Sequence, residues 1–182
     1  VVSPPREENE MAEAAQTDLT NIEDSDKREF LTFMLAGEEY GVDILRVQEI
    51  KGWDEVTNIP NTPDYIRGVI NLRGTIVPII DMRLRFKLES KEYDATTVVV
   101  VLRVKNENGN DRTMGVVVDA VSDVYNVPRS DIKPSPDFGM AVDTEFVNGL
   151  ATVDDKMVIV LNIDHMLNAD ELAAVETIVD EA

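Results

Sequence analysis

Residues 64 to 87 read DYIRGVINLRGTIVPIIDMRLRFK, and this stretch decides the fold. An apolar run, Val69-Ile70-Asn71-Leu72, meets Arg73-Gly74 and is followed at once by Thr75 to Ile80. β-Branched residues dominate both arms, and Gly74 supplies the positive φ that a tight hairpin needs. Pro78 interrupts the second arm. Proline has no N–H to give to a ladder, so this arm is expected at an edge or beside a bulge. Arg73 is thereby placed at the tip of a rigid hairpin.

Working outward, Phe30 to Leu35 reads as a strand, Ala36-Gly37-Glu38-Glu39 as its turn, and Tyr40 to Asp43 as the return. Asp43 to Arg46 suits one helical turn, and Val47 to Ile50 is extended. In the loop Asn58 to Pro63, Thr62 or Asn61 is expected to cap a short helix starting at Pro63. Leu88 to Asp94 is a charged connector, and Thr96 to Val104 is apolar enough for a strand buried on both faces. Thr113 to Val121 returns as a strand after the loop Asn106 to Asp111. That loop alternates oxygen-bearing side chains, yet its glycine, fourth from Asn106, comes two places early for a calcium loop and no glutamate stands twelfth.

An internal repeat is visible. Tyr40 to Ile50 aligns with Met114 to Val124, and Gly68-Val69 with Gly149-Leu150. A two-residue insertion then brings Ile80-Asp81 against Ile163-Asp164. Each half reads as short strands ending in a hairpin and a helical turn, which predicts a mainly β protein of two small closed barrels of about five strands. The tail, residues 168 to 182, is expected to be a helix, capped by Asn168 with Glu171 three residues on and striped by Leu172, Val175, Ile178 and Val179.

The formal charge is −19 over 182 residues. Residues 1 to 28 carry eight acids against Arg6, Lys27 and Arg28, and residues 164 to 182 carry six acids and no Lys or Arg, together −11 of the −19. Residues 46 to 91 are a slightly positive island with eight bases and six acids. Such acidity argues against nucleic acid, whose binding rests on neutralised phosphates. Val1 to Arg28 lacks the apolar content of a core and is expected to be an acidic tail, disordered or loosely helical around Met11 to Ala15; Met11-Ala12-Glu13 is a candidate natural start. No apolar run approaches the roughly 20 residues of a membrane span, and no signal peptide is apparent. A cytoplasmic protein is the expectation.

Chemistry is sparse. There is no cysteine and a single histidine, His165, so neither thiolate chemistry nor a zinc site is expected. No Ser-His-acid set and no glycine-rich phosphate loop occur. Two classes compete: a non-catalytic interaction module, favoured, and a carboxylate-dependent hydrolase on a β-barrel. No cofactor is implied. Phe138 ends a loop stiffened by Pro134 and Pro136 and reads either as a lid on the barrel or as a contact residue.

Arg67-Gly68-Val69-Ile70-Asn71-Leu72-Arg73-Gly74 with Ile76 to Arg83 resembles the signature of the CheW chemotaxis adaptors. Glu39 to Ile44, Val47-Gln48-Glu49-Ile50, Gly115 to Asp119 and Ile132-Lys133-Pro134 fit the same pattern, so the resemblance spans about residues 29 to 168. It implies two SH3-like five-stranded barrels with some strand exchange, approximately 29–92 and 93–168. It implies an adaptor coupling methyl-accepting chemoreceptors to the histidine kinase CheA in receptor arrays. The expected partners are the cytoplasmic receptor tips and the regulatory domain of the kinase, with no direct insertion into the membrane. By resemblance, Ile44, Val47, Glu49 and Arg73 belong to the receptor-binding groove, and Lys133, Asp137 and Phe138 to the loop that meets the kinase. Lys133 and Asp137 stand where arginine and glutamate are often found, which keeps the charges and alters their geometry. No kinase, phosphotransfer or receiver segment flanks the module, which suits a free-standing adaptor.

Overall fold

The computed structural model describes residues 27–106, 108–134 and 146–167. Residues 1–26 of the acidic tail, the helix expected from Asn168, and Asp137 and Phe138 lie outside the described residues, while Lys27 and Arg28, expected in the tail, open the first strand.

Strands β1 (Lys27–Leu35) and β2 (Glu38–Asp43) form a hairpin around Ala36-Gly37. A 3₁₀ turn, Ile44–Arg46, leads to β3 (Val47–Gly52). The central hairpin is β4 (Ile66–Leu72) and β5 (Thr75–Asp81), followed by the four-residue helix α1 (Met82–Arg85). The second half runs through β6 (Val98–Lys105), β7 (Asp111–Val118) and β8 (Ala120–Pro128), with the strand expected to 121 broken at Asp119. A 3₁₀ turn at Arg129–Asp131, the two-residue β9 (Ile132–Lys133), β10 (Val147–Val153), β11 (Lys156–Leu161) and α2 (Ile163–Met166) complete it.

The halves interleave. One sheet has the order β8-β1-β2-β11-β10-β9 and the other β3-β6-β7-β5-β4. The β4–β5 hairpin adds in parallel to β7 of the second half, and β10–β11 adds in parallel to β2 of the first. The repeat follows the chain, but the sheets cross from one half to the other. Each sheet curls until the chain beyond its end strand meets its far side. Thr57, beyond β3, exchanges two backbone bonds of 2.9 Å with Val69 of β4, and β9, beyond β8, pairs with β10. A glycine stands at both closures. A Cβ on Gly68 would lie 2.3 Å from the Thr57 carbonyl oxygen, and one on Gly149 would lie 2.6 Å from that of Lys133. Only a residue without a side chain admits such an approach.

Burial explains the VVVVL run. Val100 and Leu102 enter the main core between the two sheets, with Phe33, Tyr40, Met82, Met114 and Leu167. Val99 and Val101 point the other way, into the five-stranded barrel with Val77, Ile79 and Val117. A strand buried on both faces has no polar face to alternate with.

Three expectations are corrected. Residues 60–65 form turns and no helix: the Thr62 hydroxyl donates to the Ile59 carbonyl at 3.0 Å, and the chain enters β4 within a few residues. Of the two placements expected for Pro78, the edge does not hold, since β5 lies between β7 and β4, but the β4–β5 ladder does shift register beside it, between Ile66 and Gly68. Pairing with β7 starts only at Ile79, so the proline occupies the part of β5 flanked by β4 alone. Finally, the backbone sets Asp81 against Asn162, not Asp164. Each caps a short helix, Asp81 accepting from the Leu84 N–H at 3.3 Å and Asn162 from the His165 N–H at 3.1 Å. The spacing from Gly68 to Asp81 equals that from Gly149 to Asn162, and no insertion is needed.

Candidate functional site

The β4–β5 turn contains two left-handed residues, Arg73 (φ 52°) and Gly74 (φ 88°). That is the geometry of a tight type I′ hairpin, whose twist matches the strands it joins. Glycine alone was expected to carry the positive φ, but Arg73 shares it. The Asn71 side-chain oxygen accepts from the Gly74 N–H at 2.8 Å and locks the turn.

This tip faces β3 across the opening of the five-stranded barrel. The Arg73 guanidinium donates to the Glu49 carboxylate and forms an ion pair. The Arg73 side chain is 78% exposed and that of Glu49 26%. An exposed pair of this kind contributes at most about 1 kcal/mol to stability. Beside the pair lies a cleft of about 460 Å³ lined by Leu45, Val47, Glu49, Leu72, Arg73 and Arg103, among others. It joins a few apolar side chains to a charged rim.

Of the residues matched to receptor binding, Val47, Glu49 and Arg73 meet in this cleft. Ile44 does not line it and packs on the main core instead. Leu45 takes its place, 85% exposed on the 3₁₀ turn. In a single helical turn of three apolar or long side chains, no periodicity says which one faces out, so sequence reasoning missed it. Arg103, from β6, was also missed. Lys133 is exposed on β9, with its backbone paired to Leu150.

The surrounding turns are fastened by two forked ion pairs between the halves. Arg46 reaches Asp164 at 2.7 Å, and Arg83 reaches Asp119 at 2.5 Å. Burial alone would raise the Asp119 carboxyl, but hydrogen bonds from Arg83 and from the Ala36 N–H hold it below its ordinary value. At the base of α1, burial pushes the Tyr93 phenol well up, helped by its 2.6 Å hydrogen bond to Asp81. That bond occupies the second oxygen of a buried carboxylate, a structural use rather than a catalytic one.

His165 has its N–H in the α2 cap, with its ring 6.4 Å from that of Phe146. The Asn106 side-chain oxygen accepts from the N–H groups of Asn108 and Asn110 at 3.0 and 2.9 Å, so the loop examined for calcium spends this oxygen on its own turn. Among the described residues, no three His, Cys, Asp or Glu side chains group to hold a metal, and no helix is long and apolar enough to cross a membrane.

The CheW-like domain family matches residues 29–171. A chemotaxis protein CheW of Klebsiella aerogenes is 48% identical over 151 residues, covering 83% of this chain and 88% of that one. A chemotaxis protein CheW of Rhizobium meliloti is 35% identical over 147 residues, covering 81% and 92%. The crystal structure of the scaffolding protein TtCheW from Thermoanaerobacter tengcongensis superposes with a TM-score of 0.70 at 33% identity, covering 79% of this chain and 90% of that one.

Proposed function

Because the chain belongs to the CheW-like family of chemotaxis adaptors, we propose that its Glu49–Arg73 cleft is the face that receives a chemoreceptor. Its function is that of an adaptor, which binds rather than transforms. The hydrolase alternative finds no support among the relatives. In this reading the protein couples methyl-accepting receptors to the histidine kinase CheA. It works in the cytoplasm, recruited to receptor arrays at the membrane. The receptor contributes the helical hairpin of its cytoplasmic tip, and the kinase contributes its regulatory domain.

One observation supports the receptor side above the rest. Residues far apart in the chain, Val47 and Glu49 on β3 and Arg73 on the hairpin tip, converge on one mostly polar cleft in which Val47 and Leu72 stand beside an ion pair. A helix laid across it would place apolar residues on Val47 and Leu72 and polar ones against the ion pair. Lys133, with Asp137 and Phe138, is assigned to the kinase. The carboxylate and guanidinium already hold one another, so a docking helix meets a preformed pair and need not order two loose side chains.

The test is capture of the purified chain by a receptor signalling fragment and, separately, by the kinase regulatory domain. Binding to both is expected. Binding to neither contradicts the assignment.

A further inference from the structure

Leu45 and Arg103 flank the cleft, and the fold asks for neither. Leu45 has the most exposed large apolar side chain among the described residues. Single exposed leucines are ordinary on protein surfaces. This one, however, is held by its neighbours on both sides. The Asp43 carboxylate accepts from the Leu45 N–H at 3.0 Å. Arg46, the next residue, donates from Nη1 to the Arg103 carbonyl and to Asp164 Oδ1, both at 3.2 Å, and from Nη2 to Asp164 Oδ2 at 2.7 Å. Asp164 comes from α2, 118 residues along the chain, and its Oδ1 also accepts from the Lys105 N–H at 2.9 Å. A forked pair of this kind fixes direction as well as distance. The turn therefore presents Leu45 from a fixed origin.

The second feature is Arg103. The same Arg46 braces its carbonyl, while its own side chain is exposed at the cleft. The nearest carboxylate in the cleft, Glu49, is occupied by Arg73. Among the described residues, the Arg103 guanidinium makes no ion pair, in a chain of net charge −19. The cleft thus offers an apolar post and an unanswered cation beside one ion pair, both braced by Arg46.

We propose that Leu45 and Arg103 determine which helices the cleft accepts: an amphipathic helix with an apolar residue seated on Leu45 and an Asp or Glu facing Arg103. Arg46 and Asp164 act as positioning residues that hold both contacts in place. This deepens the receptor reading of the cleft and rests on it. It also gives the second half of the chain, through α2, a hand in the geometry of a site built mostly from the first.

The experiment titrates the full chain with a purified receptor signalling fragment at two salt concentrations. Leu45→Ala should weaken binding about tenfold, as truncation of an interface anchor does. Arg103→Met should weaken binding and flatten its salt dependence, while Arg103→Lys retains most of both. Both side chains are exposed, so melting temperatures should stay with the parent. Asp164→Asn should weaken binding on its own and add little in the Leu45→Ala background. A positioning role predicts that coupling, whereas an independent structural loss would add in full. Arg73→Gly serves as the separate probe of the cleft. If Leu45→Ala and Arg103→Met bind as tightly as the parent while Arg73→Gly does not, the inference falls and the receptor reading stands. If Arg73→Gly also binds as the parent does, both fall.

Discussion

The β4–β5 and β10–β11 hairpins share a backbone and differ in chemistry. Both shift register at their glycines, Gly68 and Gly149. Both add in parallel to a strand of the opposite half and end in a capped four-residue helix. Both turn through two left-handed residues: Arg73 and Gly74 at 52° and 88°, Asp154 and Asp155 at 49° and 62°. The helices are fastened at the same place with signs reversed: Arg83 on α1 holds Asp119, and Asp164 on α2 holds Arg46, one residue from the position the repeat sets against Asp119. At the tips, one hairpin carries a cation bonded to Glu49 and the other carries two aspartates. The position that the repeat sets against Glu49 is Asp123, so the second half has acids where the first has an ion pair. Architecture therefore requires the bend and leaves its side chains open. The bend does not require Arg73, which leaves the residue open to the binding role proposed for it.

The comparison breaks most severely at the closures. Gly68→Ala should cost about 3 kcal/mol or more, since the new Cβ meets a backbone oxygen that cannot withdraw without opening the barrel. Gly149→Ala should cost a similar amount. Denaturant melts check both, and a tolerated alanine at either site would show that its barrel does not close as described.

Next in size is Asp119→Asn, which removes the acid from a largely shielded ion pair and should cost about 2 kcal/mol near neutral pH. The Asp119 carboxyl lies lower in the folded chain than in the unfolded one, where it is about 3.9. Its contribution is thus complete above that unfolded value and is lost as pH falls through the folded one. Melting temperature against pH should fall less steeply on the acid side for the variant than for the parent. Parallel acid limbs would contradict the account of this pair.

The smallest effect sharpens the comparison at the tips. Asp155→Gly replaces a non-glycine at a left-handed turn position and should stabilise by about 0.5–1 kcal/mol. Loss of stability would mean that the Asp155 side chain supports the turn.

The hairpin was legible because its signals are local: β-branched arms and a two-residue turn. The helix expected at Pro63 failed for the same reason. Its start signal is genuine, but Tyr65-Ile66 enters β4 at once and no apolar helical stripe follows. Strand exchange was legible only through resemblance, because parallel pairing of β5 with β7 leaves no mark on either segment. Of the residues the resemblance named, Val47, Glu49 and Arg73 line one cleft; it did not name Leu45, because exposure within one 3₁₀ turn depends on the core beneath it. The Arg46–Asp164 fork joins residues 118 apart, beyond any sequence pattern.

On the proposed reading, Arg73 serves binding and the fold is indifferent to it. Arg73→Gly tests this most directly, because glycine keeps the left-handed turn. Affinities for a receptor signalling fragment and for the kinase regulatory domain are measured alongside the melting temperature. An unchanged or raised melting temperature, at least tenfold weaker receptor binding and unaltered kinase binding are expected. Parental receptor affinity, or a chain that unfolds, would contradict the proposed reading.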